Sequence, residues 1–230
     1  MTTYLNATEF FDFDHPQVQA YGRELITDNV RDPIAIAQRL YLAVRDDIRY
    51  NPYVFSPQPH TFRASDCLLQ GQSYCIPKAV LLGALARMHG IPARLGLADV
   101  RNHLSSPQLL EFLRSDVFVM HGYIELYLNE RWVKATPAFN AALCAKMRVE
   151  PLAFNGVDDS VFQAFNGEGE SMMEYLQDHG TFVDVPVDFI VRSVAKAYPH
   201  LMATVESGLS QHSLEHDLKR ADATEWPSSY

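Results

Sequence analysis

Apolar residues recur at three- and four-residue spacing from Pro33 to Asp47, where Ile34, Ile36, Ala37, Leu40, Tyr41 and Val44 form one stripe. That period predicts an amphipathic helix, with Asp32 as its cap and Pro33 in its first turn. The stretch from Ile48 to His60 holds three prolines and an asparagine, which restricts it to a short extended piece and a loop. Between Ile76 and His89 the helical period returns at Ala79, Val80, Leu82, Leu85, Ala86 and Met88, and Leu81 and Ala84 widen the stripe. A helix apolar around most of its circumference is a buried one. Pro77 fits its first turn, and Gly90 ahead of Ile91-Pro92 stops it.

Beyond Pro92 the period changes from helical to alternating. Ala93 to Val100 is a candidate strand and Val117 to Leu128 a stronger one. In the latter, Gly122, Ile124, Leu126 and Leu128 alternate with His121, Tyr123, Glu125 and Tyr127. Asn129-Glu130 suits a short turn, and Arg131 to Ala135 returns as the partner strand. A buried helix followed by antiparallel strands is an α+β order, not a βαβ repeat. From 151 to 186, Asn-Gly pairs, further glycines and two prolines predict loops with short helical pieces. Pro186 to Tyr198 forms a last helix, and the tail from Ser207 is polar. The expectation is a single domain over 1–230. Its core lies at about 33–140, and an extension at about 141–230 packs on the core and shapes a cleft.

Composition narrows the function classes. With 230 residues, 47% of them hydrophobic, one self-sufficient core is within reach. The net charge is -9 and no long basic run occurs, so nucleic acid is not an expected partner. No uncharged apolar stretch approaches the roughly 18 residues that span a bilayer, so no membrane partner is expected either. The start, Met1 to Pro16, lacks a basic region followed by an apolar one, and three cysteines are an odd, low count for a disulfide framework. Both features point to the cytoplasm. Nine histidines are present without Cys-x-x-Cys or His-Glu-x-x-His spacing, and His212 and His216 read as exposed tail residues. Neither a metal nor a nucleotide cofactor is expected. Nothing in the pattern specifies an oligomeric state.

The chemistry concentrates in Gln72-Ser73-Tyr74-Cys75-Ile76-Pro77-Lys78. It places Cys75 at the start of a buried helix, where the first amides point outward and the helix dipole presents partial positive charge. Both effects favour thiolate. The same amides can receive a developing oxyanion, so Cys75 itself and Gln72 are candidate oxyanion donors. Gly71 lets the backbone turn tightly ahead of this polar run. Cys67 and Cys144 lack such a setting and read as small buried hydrophobes. His121 begins the strongly alternating strand and is a candidate base, since a thiol and an imidazole need only meet in space. Tyr74, beside Cys75, and Tyr123, two residues after His121, are candidate substrate-binding side chains.

These residues also carry a resemblance. Gly71-Gln-Ser-Tyr-Cys75, the helix through Arg87, and Gly90-Ile-Pro-Ala-Arg94 resemble the core of the transglutaminase-like superfamily. His121-Gly-Tyr123-Ile-Glu125-Leu-Tyr127 and Trp132 look like its histidine strand and the start of the next. The resemblance spans roughly 38–140. It implies a papain-like α+β core, the nucleophile helix packed on an antiparallel sheet, and a Cys-His-Asp arrangement. It also implies acyl-enzyme chemistry on a peptide, a protein or a small amide. One position departs: four residues after the tryptophan, where the family has aspartate, stands Thr136. A hydroxyl can hold an imidazole tautomer but brings no full charge to an imidazolium. Thr136 is the first candidate for the third member on register, with Asp158 or Asp159 second and Asn140 third. The resulting functional expectation is a cysteine-nucleophile amide or peptide hydrolase, or an acyl transferase. The alternative is a non-catalytic binding protein that keeps the fold with a degraded triad. Arg94 is expected to be structural, paired with a carboxylate.

Overall fold

The computed structural model describes residues 1–27, 29–102, 107–147, 149–161, 173–206, 213, 214 and 217. Its helices are α1 (Pro16–Leu25), α2 (Pro33–Asp47), α3 (Ala64–Gln70), α4 (Cys75–Met88), α5 (Pro107–Leu113), α6 (Ala141–Met147), α7 (Val187–Ala197) and α8 (Pro199–Glu206). Its strands are β1 (Arg49–Tyr50), β2 (Gln72–Ser73), β3 (Ala93–Asn102), β4 (Val117–Leu128), β5 (Arg131–Ala135) and β6 (Met173–Phe182). The predicted α+β architecture is present: α4 packs on an antiparallel sheet of order β5-β4-β3-β6. His103, His212 and His216, and most of the polar tail, lie outside the described residues.

Helix α4 is central because its sequence leaves it no polar face. Every residue from Cys75 to Arg87 is buried, as a helix apolar all round requires. Its two cations serve as anchors. Lys78 Nζ donates to the Arg45 carbonyl at 2.9 Å and also to the Ile48 carbonyl, filling acceptors that the end of α2 leaves open. Burial lowers the Lys78 ammonium to about 7. Arg87, at the other end, donates to the carbonyls of Ala93, Asn6 and Val183 and lies over the Phe11 ring at 3.8 Å. At the N-terminus of α2, Asp32 accepts from the Ile34 and Ala35 amides and Pro33 occupies the first turn, as the sequence predicts.

The sheet register is held by the residues that carried the family resemblance. Arg94 stands opposite Glu125 across β3 and β4, and the two are ion-paired at 2.6 Å. The Arg94 guanidinium lies 4.1 Å from the Trp132 ring centre, and Trp132 packs edge-on to Tyr127. Arginine, glutamate, tryptophan and tyrosine thus form one register lock on β3, β4 and β5, away from the cysteine. Pairing of β1 with β2 is parallel, and it brings the segment before α4 against the end of α2.

One segment differs from the sequence expectation. Residues 173–182, predicted as loop, form β6 at the edge of the sheet, paired with β3. The reason is physical: most β6 side chains are exposed, so the strand is held by backbone bonds to β3 and shows no apolar alternation. Helices α3 and α5 are likewise elements of seven residues each, too short to show a full helical stripe. No helix among the described residues is long and apolar enough to cross a membrane.

Candidate active site

Cys75 becomes the first residue of α4 through its local backbone. Gly71 ends α3 in the left-handed region, with φ 60°, a conformation that glycine adopts without steric cost. The chain then makes β2 and enters α4 with Tyr74 as its N-cap residue. The start of α4 lies directly against β4. A Cβ on Gly122 would sit 2.8 Å from the Ile76 Cα, a distance real side chains do not reach, so only glycine allows the approach. This closeness puts the backbone N–H groups of Gly122, Ile76 and Cys75 around the sulfur.

Cys75 and His121 line one cavity of about 100 Å³. Cys75 is 8% exposed and His121 5%. At that depth burial outweighs the helix start. It pushes the thiol up to about 11, against the pull of the three amides, and lowers the imidazole to about 3. The resting pair is therefore neutral thiol and neutral imidazole, not the thiolate that a helix start alone would favour. Cys67 and Cys144 are buried free thiols, and burial raises them to about 12 and 11.

A bulge in β4 sets where His121 points. His121 is opposite Ala98 and Phe118 is opposite Val100, so Val119 and Met120 together face Asp99. Met120 takes φ 58°, the left-handed region, although it is not glycine. Its amide donates to Asp99 Oδ1 at 2.9 Å, and His179 Nε2 on β6 meets the same oxygen at 2.8 Å. Bulges of this kind turn the neighbouring side chain, and here the next residue is His121. Sequence reading could not find Asp99, Met120 or His179 in this role, since no local pattern signals a bulge.

The other candidates occupy varied positions. Tyr74 lines the cavity; its hydroxyl is buried and has no hydrogen-bond partner among the described residues. Gln72 is half-buried on β2, where its side-chain carbonyl faces the Asn51 amide at 3.4 Å. Tyr123 does not line the cavity; it packs with Ala98 and Val100 on another part of the sheet, 5.0 Å from Lys134 Nζ. Thr136 is buried after β5, and its hydroxyl makes no hydrogen bond among the described residues, while its carbonyl accepts from Tyr41. Asn140 Oδ1 accepts the Tyr50 amide at 3.1 Å. Asp158 and Asp159 are exposed; Asp158 bonds Asn155, and Asp159 accepts the Lys134 amide. No group of three or more His, Cys, Asp or Glu poised for a metal occurs among the described residues.

Much of the cavity wall comes from residues that sequence reading did not single out. Tyr53 and Phe55 lie after β1, Phe112 belongs to α5, and Val194, Tyr198 and Leu201 come from the α7–α8 region. Tyr53 is in turn held by Asp217, a buried residue of the tail that accepts from its hydroxyl.

No curated protein matches this chain. Among solved structures, one from Cytophaga hutchinsonii named "Putative Cysteine Protease" aligns at 15% identity with a TM-score of 0.46, over 79% of this chain and 53% of that one. The chain thus spans about half the length of that protein. A family model described as the transglutaminase-like superfamily matches residues 20–137, just over half of the chain. With a cysteine at a buried helix start, a histidine on the strand packed against it, and this match, the chain belongs to the transglutaminase-like superfamily.

Proposed function

We propose that this protein is a cysteine-dependent acyl-transfer enzyme, by default an amide or peptide hydrolase. The observation that carries the reading is the meeting of Cys75 and His121 in one cavity, with backbone amides around the sulfur. Membership of the superfamily supports a cysteine-dependent hydrolase or transferase. In the proposed reaction the Cys75 sulfur bonds to the substrate carbonyl carbon as its proton passes to His121. The backbone amides receive the oxyanion. His121 then gives that proton to the leaving nitrogen as the C–N bond breaks, leaving a thioester. Water adds to the thioester with His121 as base, the C–S bond breaks, and the proton returns to sulfur. Because both groups rest neutral, attack and proton transfer are coupled and no thiolate is stored beforehand.

Thr136 remains the first choice for the residue that orients His121, because its buried hydroxyl is uncommitted. Asn140 Oδ1 is occupied by Tyr50, and Asp158 and Asp159 are engaged at the surface. A hydroxyl in place of a carboxylate also favours a second reading, a binding protein with a degraded triad. One experiment separates the two. The protein is incubated with p-nitrophenyl acetate and its intact mass recorded at short times. The enzyme reading expects one acetyl group, mapped to Cys75 and lost in Cys75→Ala. No acylation of Cys75 would leave the binding reading in its place.

A further inference from the structure

We infer that the acyl group this site accepts is uncharged and of branched aliphatic size, comparable to the side chain of valine or leucine. The inference rests on the reading of Cys75 as nucleophile. Three observations carry it. First, the described residues lining the cavity beside Cys75 include no Asp, Glu, Lys or Arg. A charged acyl side chain would lose its water there and meet no opposite charge among those residues, and that cost is large. Second, the space is about 100 Å³. An apolar cavity of roughly 150 Å³ holds benzene, so this smaller space suits a group of three or four carbons better than a flat ring. Third, part of the wall is fixed. Val194, Tyr198 and Leu201 are all buried, and the Tyr198 hydroxyl bonds both to the Val119 amide at 3.0 Å and to the Val117 carbonyl. That pair of bonds ties the wall to β4, the strand that carries His121.

These three residues lie beyond the 20–137 match to the family. They form one part of the lining, and the rest comes from within that match, so the extension adds its own wall to a limit that the core also sets. Val194 is the residue to vary, since it is a small part of the wall and makes no polar contact that holds the strand.

The test uses the full chain and p-nitrophenyl esters of acetate, isovalerate, phenylacetate and succinate. It measures the rate of Cys75 acylation by nitrophenolate burst and by intact mass. Isovalerate is expected to acylate about tenfold or more faster than succinate, in line with the worth of a filled apolar pocket, and faster than phenylacetate. In Val194→Ala the phenylacetate rate should rise relative to isovalerate, because the wall recedes. Equal rates for isovalerate and succinate would overturn the inference, as would a wild-type preference for phenylacetate, even if Cys75 is acylated throughout. Absence of Cys75 acylation by every ester would overturn the nucleophile reading, and the inference with it.

Discussion

His121 shows how depth decides chemistry at a single residue. An imidazole free in an unfolded chain titrates near 6.5, whereas burial lowers this one to about 3. As pH falls below 6.5 the unfolded chain takes up a proton that the native site refuses. Stability that is fully present above pH 6.5 is thus lost as pH falls through the window toward 3, by up to about 1.4 kcal/mol per pH unit. Urea denaturation at pH 7 and pH 4.5 should show that loss in the wild type, and a smaller one in His121→Asn. Equal losses in both would mean that His121 is not held neutral. Cys75 has the opposite sign. Burial raises it to about 11, so its contribution is present below the ordinary thiol range and is lost as pH rises toward 11. Both residues were legible in the sequence as site candidates, because each sits in a strong local pattern. Their protonation states were not, because burial depends on which elements close over them.

At the scale of elements, the bulge in β4 is the feature that most directly governs the site. A strand has a side-chain period of two, so one inserted residue moves every later side chain to the other face. Here the insertion is stabilised by the Asp99 carboxylate on the Met120 amide, with His179 on the same oxygen. Asp99→Ala should remove the acceptor that holds Met120 in the left-handed region, destabilising the fold by about 1–3 kcal/mol. It should also slow Cys75 acylation, since His121 is the very next residue. Asp99→Asn keeps an oxygen at that place and is expected to retain most of the rate. Thermal denaturation and acylation kinetics on the two variants check this; equal rates for both would detach the bulge from His121. The helices and strands with a strong period, α2, α4, β4 and α7, were readable from the residues alone. By contrast, β6 is an exposed edge strand held by backbone pairing, and the bulge is a register shift between distant segments. Neither leaves a local trace in composition or periodicity.

At the scale of the whole molecule, a family core and an extension meet at one cavity. Lys78 joins α4 to the end of α2, and Arg87 joins it to the N-terminal segment and to Val183. Helix α4 is therefore tied at both ends. The α7–α8 region lines part of the cavity through Val194, Tyr198 and Leu201. The motifs accordingly point to the candidate reacting groups but not to the shape of the site, which also depends on loop, α5 and α7–α8 residues outside the motifs. Whether Cys75 and His121 act as a neutral nucleophile–base pair is tested most directly by single-turnover acylation of Cys75 with p-nitrophenyl acetate from pH 4.5 to 9, in wild type and His121→Ala. The expected wild-type rate shows no fall across pH 6.5, because the imidazole stays neutral far below it, and His121→Ala is slower by about 10²-fold or more. A His121→Ala rate equal to wild type, or an acyl group found on Cys67 or Cys144 instead, would contradict the pairing.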